Sequence, residues 1–420
     1  MRIQNCIILI FLIPFSCQNS DNPALTPLSE RFDPITQSYA YPIPNLEPVP
    51  GIIGLKAKDC GVCHLSIYNE WKASTHATAL RDIQFQAELA KPDSPKWICL
   101  NCHIPMQNQR EYIVKHLEER DIFRPVKIEN KKFDPEMQQE SITCASCHVR
   151  PDGKNASIII GPNGSTQSPH PVRQDRAFLR DMCHRCHNPQ GEGLTRNLIC
   201  WFETTRELAE GQAALKSESS NGSDCVDCHM PEEKRHLADT FTNLPLREVN
   251  RHHWTGSGIP KWYPAYDSLL ARGYEPGLEV QVGKIEFESR GKLKTTITLK
   301  NARAGHYLPT ADPERFILAL AYLEDKDGNR QQVEKLRIGQ QWLWNPARKV
   351  GDNRLKQGET FGWDVSLLLP EQKDGIKFVV LAYNVRLTSE NARHMTMTNG
   401  VNENYLPNGQ QFVKHIAKYY

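Results

Sequence analysis

The pattern of apolar and polar positions divides the chain into four stretches. An apolar run from Cys6 to Phe15 follows a charged Arg2. It is too short to span a bilayer as a stable helix and reads as a secretory signal over residues 1–16. Residues 17–50 carry Pro23, Pro27, Pro34, Pro42, Pro44, Pro48 and Pro50, which exclude helix and predict an extended, polyproline-like tether. Tyr39, Tyr41 and Ile43 leave open an ordered arm that wraps the body instead. Over residues 51–262 the apolar positions recur at helical spacing in short bursts, as in Leu65, Tyr68, Trp71 and Thr75. From residue 263 to 420 they alternate at strand spacing. The segments 294–300, 316–322 and 377–383 read as strands, with Asp327-Gly328 as a turn between two of them. The expected fold is α+β: a mostly helical and loop N-terminal part, then an all-β, sandwich-like domain.

Composition narrows the function classes. With 51 Lys+Arg against 49 Asp+Glu the net charge is +2, and no basic run supplies the electrostatic footprint of a nucleic-acid binder. Only the N-terminal run is continuously apolar, so a multi-pass membrane protein is excluded. Hydrophobic content is 39%, low for a chain long enough to build two cores. Thirteen cysteines do not make a small disulfide scaffold, because a chain of this length needs no staples to fold.

Ten of those cysteines fall into one motif, repeated five times: Cys60-Gly-Val-Cys63-His64, Cys99-Leu-Asn-Cys102-His103, Cys144-Ala-Ser-Cys147-His148, Cys183-His-Arg-Cys186-His187 and Cys225-Val-Asp-Cys228-His229. Cys-x-x-Cys-His is the attachment site of a c-type haem. Two thiols three residues apart share a helical face and can each form a thioether with one porphyrin, and the following His projects over the ring to bind iron. Paired Cys-x-x-Cys knuckles could instead hold zinc. There are 15 histidines in 420 residues, so finding one after all five pairs by chance has odds on the order of one in ten million. Zinc gives no reason for that recurrence. The expectation is five covalently attached haem c groups, with His64, His103, His148, His187 and His229 as proximal ligands. The motifs recur roughly every 40 residues. At that density the porphyrins supply much of the apolar surface, in a stacked array wrapped by short helices and loops.

Ten other histidines could supply the distal ligands: His76, His116, His170, His184, His236, His252, His253, His306, His394 and His415. His76 lies twelve residues beyond His64, about 18 Å along a helix, so it can serve only a different haem. His170 sits between two prolines, which restrict its backbone. One of His252 and His253, with a lean to His252, is expected to ligate. His306 could reach a haem across the domain boundary or could simply brace a loop. His184 reads as solvated or hydrogen-bonded, and His116 and His236 lie amid charge. Met106, Met182 and Met230 read as structural filler, and Cys200 reads as a buried thiol among apolar neighbours.

The run CGVCHLSIYNEWKASTHA resembles the opening of the multihaem cytochromes of the cytochrome c-552/c-554 and hydroxylamine-oxidoreductase-like group. There Tyr, Trp and a Ser-x-His follow the motif, at positions matching Tyr68, Trp71, Ser74 and His76. The runs CASCH and CVDCHMP are similar too, and the resemblance spans roughly residues 55–255. It implies that His76 ligates a neighbouring haem. Two departures weaken enzyme assignments. Ammonia-forming nitrite reductases replace one motif His by Lys, whereas every motif here ends in His. Hydroxylamine oxidoreductases carry more haems and a cross-linked tyrosine. Gly305-His306-x-x-Pro309-Thr310 resembles a signature of similar C-terminal domains, with Ala311 in place of its final Gly.

Ser16-Cys17 resembles a lipobox, although Pro14 and Phe15 depart from its stricter form. Acylation of Cys17 would give a membrane-anchored lipoprotein on the periplasmic side, and a soluble exported form is the alternative. The expected function is electron transfer between redox partners such as quinol-side or periplasmic cytochromes. The alternative is an oxidoreductase with one open-faced haem, acting on a small nitrogen or sulfur compound that Arg303 or Tyr307 could help hold.

Overall fold

A computed structural model describes residues 41–90, 94–153, 155–165, 168–189, 203–215, 224–241, 243–254, 276–289, 291–344, 347–371, 374–385 and 410–418. The signal segment 1–16, Cys17, Cys200, His394 and the expected domain boundary at 262/263 lie outside the described residues, as does the side chain of His415. Among the described residues no helix is long and apolar enough to cross a membrane.

The N-terminal part is built from short helices: α1 Ala57–Gly61, α2 Leu65–Lys72, α3 Ile83–Ala90, α4 Lys96–His103, α5 Pro135–Gln139, α6 Cys144–His148, α7 Arg176–Asp181, α8 His184–His187, α9 Thr204–Leu215 and α10 Cys225–His229. Helices this short are not stable by themselves in water, so their order comes from what they pack against. The part is less purely helical than its sequence suggests. Strands β1 Tyr112–Leu117 and β2 Pro125–Glu129 form a hairpin. Strands β3 Val149–Pro151, β4 Ser157–Gly161 and β5 Val172–Gln174 form a small mixed sheet, and β6 Glu232–Arg235 pairs with β7 Arg247–Asn250. These pieces are too short and one-sided to show a clear period of two.

Residues 41–50, expected at the end of the tether, are packed into this body. Ile43 N–H donates to Pro105 O at 2.7 Å, and Gln107 N–H donates to Ile43 O at 2.8 Å. Asn108 grips Leu46 through both its backbone N–H and its carbonyl. Ile43, Leu46 and Val49 are buried against Met106, Met137, Ala145 and Val149. Their spacing of three matches the turn of a polyproline helix, so one face of a proline-rich segment becomes an apolar stripe. For these ten residues the arm replaces the tether.

The C-terminal part is a sandwich of two antiparallel sheets. Strands β8 Leu278–Val282, β9 Glu286–Glu288, β10 Lys292–Asn301 and β14 Thr360–Leu368 make one, with β10 paired to the other three. Strands β11 Phe316–Glu324, β12 Arg330–Trp344, β13 Ala347–Asp352, β15 Lys377–Val385 and β16 Gln410–Lys418 make the other, in the order β13-β12-β11-β15-β16. Alternation drives the packing. Leu293, Ile297 and Leu299 of β10 and Trp363, Val365 and Leu367 of β14 face Ile317, Ala319, Ala321 and Leu323 of β11 and Phe378, Val380 and Ala382 of β15. Each such buried large side chain contributes about 1.5–3 kcal/mol. The three segments read as strands from sequence fall within β10, β11 and β15.

Helix α9 joins the two parts. Gly211 lies on its inner face, where an added Cβ would come within 2.4 Å of Gly305 O. Glycine there lets the helix approach the loop that carries His306.

Candidate functional site

Every Cys-x-x-Cys-His motif closes on a single helical turn. His64 N–H donates to Cys60 O and His187 N–H to Cys183 O, each at 3.0 Å. In the fifth motif Asp224 caps α10 by accepting from the backbone of Val226 and Asp227. A turn of this kind brings both thiols and the imidazole to one side, as thioether attachment with axial ligation requires. None of the ten motif cysteines is in a disulfide.

The ring nitrogens carry the chemical signal. His64 Nδ1 meets Leu237 O at 2.7 Å, His103 Nδ1 meets Ala79 O at 2.8 Å and His148 Nδ1 meets Ile160 O at 2.9 Å. His252 Nδ1 meets Asn250 O and His306 Nδ1 meets Tyr307 O, both at 2.9 Å. A carbonyl only accepts, so Nδ1 must carry the proton and Nε2 presents a lone pair, the arrangement of a metal-bound imidazole. Burial reinforces it by disfavouring the charged ring. His76 and His252 are pushed down to about 3, with His148, His170 and His306 also lowered.

These rings pair across long sequence separations. The ring centres of His76 and His187 lie 6.2 Å apart, those of His148 and His252 6.3 Å, and those of His229 and His306 6.2 Å. Two imidazoles sharing one metal through bonds of about 2 Å, with about 1.1 Å from each nitrogen to its ring centre, have centres about 6.2 Å apart. The three pairs therefore fit an axially ligated iron. His170 lies close enough to His64 for their charges to interact, and its Nδ1 is buried with no hydrogen-bond partner among the described residues. Gly51 positions that segment, since a Cβ there would meet Pro169 O at 1.9 Å. His103 stacks on Phe85 with centres 3.4 Å apart.

Several supporting residues carried no sequence signal. Trp254 packs edge-on against both His76 at 4.4 Å and His252 at 5.3 Å, so one indole braces two of the rings. Buried Glu70 binds Arg235 in two-pronged fashion at 2.7 and 3.0 Å and accepts the His252 N–H at 2.8 Å. Burial alone would raise the Glu70 carboxyl, but the Arg235 and His252 hydrogen bonds and the nearby arginine charges hold it below its ordinary value. His253 turns away to Arg251 Nη2 at 2.9 Å, which separates the two adjacent histidines. Around His306, Glu207 receives Arg354 Nη1 at 2.6 Å and Thr310 Oγ1 at 2.5 Å, while Tyr307 Oη donates to Glu210. Arg303 reaches Pro276 O at 3.3 Å. His116 is exposed on β1 and His184 stands 3.8 Å from Asp181 at the surface. Met106 is fully buried in an apolar cluster.

The motifs adjoin one another in an order the sequence does not follow. Cys60 of the first adjoins Cys144 of the third, Cys102 of the second adjoins Cys186 of the fourth, and Cys183 of the fourth adjoins Cys225 of the fifth. Cys147 of the third also faces Cys186. The fourth motif thus touches three others.

Residues 59–149 match the family model of cytochrome c554 and c-prime. The fold is similar to that of a penta-heme cytochrome c552 from Thermochromatium tepidum, at a TM-score of 0.56 and 17% identity over 85% of this chain and 97% of that one. Together these matches support a multihaem c-type cytochrome. A β-glucuronidase from Bacteroides uniformis is similar over 34% of this chain and 13% of its own, at 19% identity and a TM-score of 0.17, a likeness too slight to bear on function. No curated protein matches the sequence. In a multihaem cytochrome the motif cysteines hold the haems covalently, and the haems supply one-electron redox chemistry. The chain supplies the thiols, the Nε2 lone pairs and the burial.

Proposed function

We propose that this chain carries electrons between redox partners through five haem c groups, attached at Cys60/Cys63, Cys99/Cys102, Cys144/Cys147, Cys183/Cys186 and Cys225/Cys228. His64, His103, His148, His187 and His229 are the proximal ligands. His170 serves the first iron, His252 the third, His76 the fourth and His306 the fifth. The observation that carries this reading is the recurrence of 6.2–6.3 Å between the paired rings, with Nδ1 of His148, His252 and His306 tied to carbonyls. Axial imidazole on both sides leaves an iron no position for a substrate, which suits a carrier. The chain is exported through residues 1–16 and anchored by acylation at Cys17, facing partners such as quinol-side or periplasmic cytochromes.

A pyridine haemochrome assay of the purified protein should count five haems per chain. Four irons have two assigned histidines and the second has only His103, so after dithionite reduction added carbon monoxide should leave those four haems unmoved. An adduct at any of those four would overturn the ligand scheme. An adduct at the second haem would overturn the pure-carrier reading in favour of an oxidoreductase with an open-faced iron, and a different haem count would overturn the attachment scheme.

A further inference from the structure

Three guanidinium groups converge where the second, third and fourth motifs meet. Arg110 is 6% exposed. Its Nε and Nη2 donate to Ile104 O, both at 3.2 Å, and its Nη1 donates to Trp97 O at 3.3 Å. Ile104 directly follows His103, so Arg110 is fastened to the second motif. Arg150, two residues after His148, donates from Nη1 and Nη2 to Ser146 O inside the third motif, each at 3.0 Å, and from Nη2 to Met182 Sδ at 2.9 Å. Arg185 lies inside the fourth motif, donates to Tyr41 O, and has its Nε buried with no partner in the chain.

Every acceptor is neutral. No Asp or Glu among the described residues pairs with Arg110, Arg150 or Arg185. The charges of Arg110 and Arg150 each act on Arg185 and on a motif thiol, Cys102 and Cys147 respectively. A guanidinium keeps its proton at neutral pH, so each of the three positions carries a fixed positive charge. Carboxylates act on the first and fifth motifs, Asp59 and Glu140 on Cys60 and Asp224 and Asp227 on Cys228, while the third has both Arg150 and, at Cys144, Glu140. Of the three, Arg110 is buried, and a buried cation without a charged partner is costly. Reduction of a haem removes one positive charge from the iron, so a fixed cation nearby in a low-dielectric setting favours the reduced state.

We propose that Arg110, Arg150 and Arg185 form a cationic cluster, buried at Arg110 and half-buried at Arg150 and Arg185, that raises the reduction potentials of the haems at the second, third and fourth motifs above those at the first and fifth. The inference rests on the reading of the five motifs as haem attachments. It makes the middle of the array, where the fourth motif touches three others, the place where electrons collect.

The test is a spectroelectrochemical titration of the full-length holoprotein, resolved into one-electron components. Arg150→Gln and Arg185→Gln should each lower a central midpoint by at least tenfold in redox equilibrium, about 59 mV for one electron, with the two terminal components unmoved. Arg150→Lys and Arg185→Lys, which keep the charge, should stay close to wild type. Arg110→Gln should act likewise, and the two more accessible positions carry the test if that deeply buried variant does not mature. No shift, an upward shift, or equal shifts for Gln and Lys would overturn the proposal, the last because it would trace the effect to packing. A wild-type haem count other than five overturns the underlying reading instead, so the two failures are distinguishable.

Discussion

Replacing Arg354 by methionine strips a cation from one of the most buried ion pairs in the chain. Arg354 and Glu207 have side chains only 5% and 2% exposed, with Nη1 and Oε1 2.6 Å apart. Arg354 also grips Asp352 through Nε and Nη2, both at 2.9 Å. Asp352 is partly exposed and can turn to water, whereas Glu207 is left with Thr310 alone. Stranding a buried charge costs about 3–5 kcal/mol. At 2–4 °C per kcal/mol for a domain of about 150–250 residues, the apparent Tm should fall by roughly 6–20 °C. The stranded carboxylate should have its pKa raised above the unfolded value near 4.3, because burial disfavours its charged form. The penalty is therefore full above that raised folded value and relieved as pH falls through it toward the unfolded one. Thermal melts of wild type, Arg354→Met and the double variant Arg354→Met/Glu207→Gln at pH 8 and pH 5 would measure it. The single variant should recover stability at pH 5 relative to wild type, and the double variant should recover most of it at pH 8. A deficit below about 1 kcal/mol, or one indifferent to both pH and Glu207→Gln, would refute the argument that an uncompensated charge is its cause.

Other outcomes follow from the same geometry. His306→Ala should convert one haem to a high-spin form that binds carbon monoxide, read as a new high-spin signal in electron paramagnetic resonance while the remaining low-spin signals persist. Cys225→Ser with Cys228→Ser should lower the pyridine haemochrome count by one. Glu70 has its folded carboxyl held below the ordinary value, so its stabilisation is full above about pH 4.5 and is lost as pH falls through the folded value. Glu70→Gln should flatten that acid limb of the stability curve and perturb the spectrum assigned to His252. A variant that keeps the wild-type acid limb would remove Glu70 from the support of that loop.

How much was readable in the sequence depends on how local each feature is. The five motifs are complete within five residues each, so their chemistry is fully written in the order of residues. The strands β10, β11 and β15 show alternation or continuous apolar runs. Strand β12, with its polar Glu334, Lys335, Arg337 and Gln340, does not, because even its buried positions include a polar side chain, Gln340. The choice between His252 and His253 was undecidable from adjacency. It is made by Glu70, 182 residues away, which accepts the His252 backbone N–H and draws Arg251 and His253 to its other side. The stripe of Ile43, Leu46 and Val49 was legible but easily passed over, because proline content masks a period of three.

The pairing of histidines is the feature that no local rule could supply, and it explains the architecture of the N-terminal part. His76 meets a ring 111 positions later, His148 one 104 positions later and His229 one 77 positions later. Each pair closes a long loop, and closing long loops is entropically expensive while short helices and small sheets bury little to offset it. The clusters of buried apolar residues around the motifs are correspondingly small, as in Ala57, Trp71 and Ala77, whereas the sandwich has one continuous core. On the proposed function, a pair of axial ligands on a covalently attached haem would supply the missing closure, because the metal bond would tie the two ends of the loop in the folded state alone. Ligation and tertiary structure in this half of the chain would then be one interaction, which the sandwich would join through His306 and the Glu207–Arg354 pair.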